Sequence, residues 1–405
     1  MKLLLFVDWT FPCDHQFLTE VYAKRFQEMG HEVTWVMRGD DTGQPPIQKE
    51  VWNGSAVYLL SKASYDPIRI STQFFTNRIQ NHCIFNSDIQ LESFDLIHVR
   101  NDLAMGLLAL HISDEINIPY THQISHLKAE SLIQSNNMIS TEYIKGQLGK
   151  KLRNYISQSA DLILPISDAM QDYLHDQGYS TQMKTLPTGS EINERSINSD
   201  QFLRKYSIDS RYILLYIGSM SPLRNLDFLF DVVGRVLNEY DVELVMAGGR
   251  SERNVDQLRN KAKEKKVSHA VTFTGWISDR DMIKQAISAS DIGYSPLPPN
   301  TILRMNAPIK TLEYMSLGTP VIASDTPDQQ NVLQRSRGGI ATAYNVDEFA
   351  ESTTYLLKNK KIRERMGDNG HAYIKNNRNF DVLSRQVERY YMSLIEDHRK
   401  GVKVR

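Results

Sequence analysis

The stretch YILLYIGSMSPLRNLDFLF, Tyr212 to Phe230, decides the fold. Tyr212–Gly218 is an unbroken run of apolar and aromatic side chains closed by a glycine, the pattern of a strand buried on both faces. A polar turn follows, and a helical period begins near Leu226 and runs to about Glu239. Strand, short turn and amphipathic helix make one βα unit, and a series of such units implies parallel sheet with right-handed crossovers.

Read outward, the rhythm continues on both sides. Downstream come VELVMAG (242–248), a helix to about Lys265, VTFTGW (271–276), a helix near Asp279–Ala289, DIGYSPL (291–297) and PVIAS (320–324). Upstream, LLLFV (3–7) precedes a helix expected over Phe17–Met29, then HEVTWVM (31–37), FDLIHVR (94–100) and a helix near Leu103–Glu115. IPYTHQI (118–124), a helix near Thr141–Gln158, ADLILPIS (160–167), a further helix and QMKTLPTG (182–189) complete that series. The interval 189–209 is polar and lacks a period, so it reads as a linker. The expected α/β architecture is two doubly wound, Rossmann-like domains, 1–188 and 210–379, with parallel sheets facing across a cleft. A last helix from Phe380 onward is expected to pack back onto the first domain. In such sheets ligands bind beyond the carboxyl ends of the strands, so the residues just after each strand are the ones to interrogate.

Bulk properties agree with this division. At 405 residues the chain exceeds one ordinary core, and 41% hydrophobic with 23% charged residues is a globular composition. Cys13 and Cys83 form no disulfide framework or metal-ligand spacing, which points to a reducing, cytoplasmic setting. The apolar run before Asp8 is shorter than a signal-peptide core and reads as a first strand. No stretch approaches the ~18 apolar residues of a membrane span. The first half is acidic and the second mildly basic, too weakly for a nucleic-acid footprint but with the right sign for a second domain that holds a small anion.

The usual nucleotide motifs, GxGxxG after a strand and GxxxxGK[ST], are missing, which argues against a dinucleotide oxidoreductase or a P-loop enzyme. Asp279-Arg280-Asp281 matches a loose metal pattern, yet it sits at a helix start, where aspartate serves as a cap. No protein-bound metal or other cofactor is expected.

NAPIKTLEYMSLGTPVIAS, Asn306 to Ser324, is the most informative candidate site. Pro308 suits the first position of a helix, because the N–H it lacks would have no partner there. The N–H groups of Ile309, Lys310 and Thr311 then point outward at the positive end of the helix dipole, an arrangement that accepts phosphate oxygens. Lys310 adds a charge, and Glu313, a turn further in, is suited to a pair of vicinal hydroxyls such as those of ribose. A plain helix with a surface lysine and glutamate accounts for the same residues. The turn after Ile217 is a second candidate: Gly218 permits a tight turn that brings Arg224 over the strand end, where it is either a phosphate ligand or a solvated helix-start residue.

TLEYMSLGTPVIAS, YIGSMSPLRNLDFL, VTFTGWISDRDMIKQAISASDIGYSPL and ADLILPISDAMQDYL with LPTGSE together resemble the nucleotide-sugar-dependent glycosyltransferases of family 4, of GT-B fold. The resemblance covers most of the chain and is stronger after Asp161. It implies a metal-independent retaining transferase with an NDP-sugar held mainly by the C-terminal domain. It places Glu313 on ribose hydroxyls, the backbone of Ile309 and Lys310 on the diphosphate, and the segment Gly275, Trp276 and Ile277 on the base. The family's two cations after the first strand of this domain fall on Ser219 and Arg224, so Arg224 and Lys310 are implied to neutralise the leaving diphosphate. Met305 stands where many members carry a sugar-contacting glutamate. On the N-terminal, acceptor side the resemblance points to His15, Arg100, Ser125 and His126, with His98 more simply a satisfied strand histidine.

The implied reaction moves a hexose-type sugar to an acceptor hydroxyl with retention, in polysaccharide, glycolipid or other glycoconjugate assembly. No enzymic nucleophile stands out, so a same-face route assisted by the leaving phosphate is expected. A non-hydrolysing sugar-nucleotide epimerase and a transferase-like scaffold are the rival readings. The stretch YIKGQLGKKLRNYI (143–156) and the basic tail HRKGVKVR further suggest peripheral contact with an anionic membrane surface, against the plainer reading of a solvated helix and a frayed end.

Overall fold

The structure, a computed structural model, describes residues 1–39, 47–60, 89–193 and 197–401; Cys83 and the last four residues of the basic tail lie outside them. The chain divides into two compact units, Met1–Pro187 with Phe380–Arg405, and Thr188–Asn379.

The first unit is built on β1 (Lys2–Thr10), β2 (Glu32–Arg38), β3 (Ile47–Trp52), β4 (Ser55–Leu60), β5 (Leu96–Arg100), β6 (Tyr120–Ile124) and β7 (Leu162–Pro165). Their order is β3-β4-β2-β1-β5-β6-β7, parallel throughout except for the β3–β4 hairpin. Leu3 to Val7 are fully buried, as a central parallel strand requires. The helix expected over Phe17–Met29 is present, but Leu18–Arg25 winds as a π-helix before an α-turn at Phe26–Glu28. The segment 182–189 differs from expectation: it makes an isolated bridge, Met183 to Ile163, and backbone hydrogen bonds from Lys184 and Leu186 to β7, short of a further strand.

The last helix, Phe380–Arg399, belongs to this unit. Phe380, Leu383, Val387, Tyr391 and Leu394 recur at spacings of three and four and enter the same core as Leu3, Leu5, Tyr22 and Trp35. A buried hydrogen bond between the Tyr22 and Tyr391 hydroxyls, 2.9 Å, fixes its register. His98 lies between those two rings, and its Nδ1 meets Thr121 Oγ1 at 2.8 Å.

The second unit contains β8 (Tyr212–Gly218), β9 (Val242–Gly248), β10 (Val271–Gly275), β11 (Ile292–Ser295), β12 (Val321–Ser324) and β13 (Gly339–Thr342). They form one parallel sheet in the order β10-β9-β8-β11-β12-β13. The expected linker is corrected here. Within 189–209 lies a helix, Asp200–Tyr206, whose Phe202 is fully buried with Ile208 in a core shared with Leu215, Val245 and Leu312. Its few apolar residues were enough to dock it, although they are too sparse to show a period.

Candidate functional site: the strand ends of the second unit

In the second sheet β8 lies between β9 and β11, so the turns after β8, β9 and β10 and the segment after β11 share one edge. Gly218 and Gly248 end β8 and β9 side by side in register. Both take positive φ, 134° and 129°, and a Cβ on Gly248 would fall 2.3 Å from the Gly218 carbonyl oxygen. Only glycine fits there, and the pair leaves backbone bare at the strand ends.

The helix Ile309–Ser316 opens at this edge. Pro308 is its N-cap, not its first helical residue, with φ −69° and ψ 118°, and no side chain caps the end. The expected position is thus corrected by one residue: an extended ψ places the proline just outside the helix. The helix is held from below. Tyr314 Oη accepts the Ile217 N–H at 2.8 Å and lies 3.2 Å from the Leu215 carbonyl oxygen, while its ring occupies the space that a Cβ on Gly293 would need. Thr311 turns its hydroxyl inward to Ser295 and Gln329, at 3.0 and 2.9 Å. Its side chain is therefore a tether, which leaves its backbone as the part available to a ligand.

Lys310 reaches back over β8. Its Nζ lies 3.8 Å from the centroid of the Tyr216 ring. Burial lowers its pKa well below the ordinary lysine value; Arg224 lowers it further, and Glu313 opposes the shift. Arg224 sits in the turn Pro222–Arg224, and its guanidinium makes no hydrogen bond or ion pair among the described residues. Ser219 accepts from the Tyr216 hydroxyl through its carbonyl, 2.8 Å. Two cations thus stand near a helix N-terminus without a paired carboxylate between them.

Glu313 lies one turn deeper. Burial raises its carboxyl pKa, and the Arg280 guanidinium, 3.3 Å away, together with Lys310 works in the opposite sense. Trp276, just past β10, is 54% exposed and carries the Arg250 guanidinium 4.0 Å above its ring centroid. Ile277 packs instead against the core beneath. Met305 is buried at the end of the short helix Thr301–Arg304.

Sequence reasoning missed Arg250 and Arg280. Arg250 directly follows the Gly248-Gly249 strand end, so the strand-end rule pointed to it. Arg280 was passed over because its neighbours were weighed as a metal pattern or a helix cap; Asp279 is that cap, for the helix Arg280–Ala289, accepting from Asp281 N–H at 2.9 Å.

In the first unit the corresponding strand ends bring some candidates together. Arg100, at the end of β5, is buried and meets His15 Nε2 at 3.1 Å. Burial, then the nearby Arg100 charge, lowers the His15 pKa to about 3, so that imidazole is neutral. Ser125 is clasped by Asn101, whose amide donates to its hydroxyl (2.6 Å) and accepts from its N–H (2.8 Å). His126 is exposed beside it.

Residues 211–359 match the model described as glycosyl transferases group 1, and residues 19–189 match that of the glycosyl transferase 4-like domain. The chain belongs to the family 4, group 1 glycosyltransferases. Among relatives, this glycosyltransferase is 26% identical to the alpha-monoglucosyldiacylglycerol synthase of Streptococcus pneumoniae, over 59% of this chain and 54% of that protein. It therefore spans about half the length of that relative. It is 22% identical to an uncharacterized glycosyltransferase of Methanocaldococcus jannaschii over 98% of this chain and 99% of that one. Among solved structures, the Anabaena HepE protein in complex with UDP-glucose superposes with a TM-score of 0.69 at 15% identity, covering 96% of this chain and 99% of that one. The two units are those of the GT-B fold.

Proposed function

We propose that this glycosyltransferase moves a hexose-type sugar from an NDP-sugar to an acceptor hydroxyl with retention and without a resident metal. The observation that carries the reading is the second unit's strand edge, where a helix N-terminus, Lys310 and Arg224 converge beside bare glycine backbone. Sugar departure loads negative charge onto a diphosphate. Fixed N–H dipoles and two cations lower the energy of that charge more than that of the bound donor, which is how preorganised electrostatics accelerates a reaction. Ile309 and Lys310 backbone with the turn Gly218-Ser219 receive the diphosphate, Glu313 the ribose hydroxyls, and Trp276 with Ile277 the base. His15, Arg100, Ser125 and His126 serve the acceptor. A neutral His15, its Nε2 lone pair engaged by the Arg100 guanidinium, helps hold that cation in place for such a hydroxyl.

UDP-glucose is the first donor to try, because the Anabaena neighbour was solved with it. The name of the streptococcal relative makes a lipid hydroxyl the first acceptor class to try, which would place the enzyme peripherally at the inner face of a membrane. Polysaccharide or other glycoconjugate assembly is the wider setting of the proposal.

The test is a thermal-shift screen of UDP-, GDP-, ADP- and dTDP-sugars with the Glu313→Ala variant alongside. One nucleotide should stabilise the parent and fail to stabilise the variant. Equal binding of every nucleotide by both proteins would overturn the assignment of Glu313. Product analysis of the anomeric configuration then decides between retention and inversion, and incubation with donor alone separates transfer from epimerisation.

A further inference from the structure

The helix Thr141–Gln158 in the first unit is apolar on the side where a surface helix should be polar. Its buried side is Gly146, Gly149, Arg153, Ile156 and Ser157. That side is seated closely on the helix Lys128–Ser135: a Cβ on Gly146 would approach the Ala129 carbonyl oxygen to 2.9 Å. Its exposed positions, Thr141, Ile144, Leu148, Lys151, Tyr155 and Gln158, follow one another at spacings of three and four. They therefore line a single outward stripe. Ile144, Leu148 and Tyr155 put large apolar groups on it. The turn that enters the helix adds Met138, 76% exposed, and Ile139, 94% exposed. Five of the twelve large hydrophobic side chains exposed among the described residues fall in this one feature, which sets it apart from scattered surface apolar residues.

The one charge on the stripe is a lysine, and lysines predominate beside it, where Glu142 is the only carboxylate of the helix. Lys151 lies within it and has no hydrogen bond or ion pair among the described residues. Lys150 beside it donates only to an uncharged amide, Gln177 Oε1, at 2.6 Å. Lys145 is bridged to Glu142 at 3.1 Å, and no carboxylate lies on the stripe itself.

We propose that the Met138–Ile139 turn and the stripe through Ile144, Leu148, Lys151 and Tyr155 form a docking surface for an anionic lipid bilayer. The apolar side chains enter the headgroup boundary while the lysines meet phosphate charge. A second copy of this face would set Lys150 and Lys151 against like charge, and Glu142, the one carboxylate of the helix, is already bridged to Lys145, so the charges favour lipid over self-association. The surface is named here independently of sugar transfer, and either reading can fail alone.

The test is flotation of the full chain with vesicles of phosphatidylcholine, with and without phosphatidylglycerol, over a salt series. Mixed vesicles should carry the protein at low salt, phosphatidylcholine alone should carry much less, and salt should release it. Ile139→Asp with Leu148→Asp should weaken binding at least about tenfold. Lys150→Glu with Lys151→Glu should remove the preference for phosphatidylglycerol. Ile139, Leu148 and Lys151 are exposed and Lys150 is partly so, and both variants should unfold with the parent and bind nucleotide-sugar as it does. Indifference of the parent to anionic vesicles, or unchanged binding by the aspartate variant, overturns the proposal. So does a concentration-dependent dimer, seen by light scattering, that the aspartate variant abolishes in the absence of vesicle binding.

Discussion

Lys310 Nζ occupies the space that a side chain at Gly218 would need: a Cβ built on Gly218 would lie 3.2 Å from it. The end of β8 and the start of the helix Ile309–Ser316 are thus matched through an absent side chain and a present charge. Gly218→Ala should therefore act twice. The alanine is strained at φ 134°, and its methyl pushes the ammonium off the strand end. Destabilisation of about 1–3 kcal/mol is expected, with at least about tenfold weaker nucleotide-sugar binding. Denaturant unfolding and titration calorimetry measure the two effects; a variant with unchanged affinity would disconnect Lys310 from the ligand.

Lys310→Met should separate stability from function. Burial has pushed the lysine's pKa down in the folded chain, so the unfolded state binds the proton more readily. The sign follows: at pH values below the unfolded lysine's pKa, the folded state bears a cost that the methionine variant escapes. The variant should melt at or above the parent's temperature and bind donor at least about tenfold less tightly. A bound diphosphate favours the charged amine, so donor binding takes up protons and parental affinity should weaken as pH rises. Lys310→Arg, charged at every accessible pH, should lose most of that dependence.

On the proposed site, Arg280 should act on the ligand through Glu313, which its guanidinium approaches to 3.3 Å. Removing it by Arg280→Ala leaves burial less opposed and raises the Glu313 pKa further. A carboxylate that must be ionised to accept ribose hydroxyls then fails at higher pH than in the parent. Affinity should fall a few-fold on the acid side and converge with the parent's as pH rises, since the ion pair is half exposed at Arg280 and worth little by itself. Equal loss at all pH values would mean that Arg280 touches the ligand directly.

Arg250→Ala and Trp276→Ala should each weaken binding of an intact NDP-sugar by about threefold to tenfold, the loss of one stacking surface. Neither should alter binding of inorganic pyrophosphate, which has no base. The comparison is sharp because Lys310→Met should weaken both ligands.

Much of this was legible in the sequence, for identifiable reasons. Buried parallel strands are nearly pure apolar runs, so β8 and β9 could be placed at Tyr212–Gly218 and Val242–Gly248 from composition alone. The helix with Lys310 and Glu313 was legible because proline and glycine punctuate its ends. The hairpin Ile47–Leu60 was not, since one of its strands lies at the edge of the sheet and Val51 is exposed. Nor was the docking of Asp200–Tyr206, which rests chiefly on Phe202. Arg250 and Arg280 acquire meaning only from Trp276 and Glu313, partners distant in sequence that folding brings beside them. An apolar residue counts the same in a periodicity whether it faces core or water, so the outward stripe on Thr141–Gln158 needed the structure.

The first unit makes its own prediction through Glu130 and Arg153. Both guanidinium nitrogens of Arg153 meet the two carboxylate oxygens at 2.6 Å, and both side chains are largely buried. Burial alone would raise the Glu130 pKa, but the paired Arg153 holds it below the ordinary value. A depressed carboxyl contributes stability above its unfolded pKa, and that contribution is lost as pH falls through the folded value. Glu130→Ala strands a buried guanidinium and should cost about 3–5 kcal/mol at neutral pH. The cost should shrink toward acid, where the parent's own carboxylate protonates. Urea unfolding at a series of pH values, followed by a probe in the first unit, measures this; a pH-independent difference would show that Glu130 matters for packing and not for its charge.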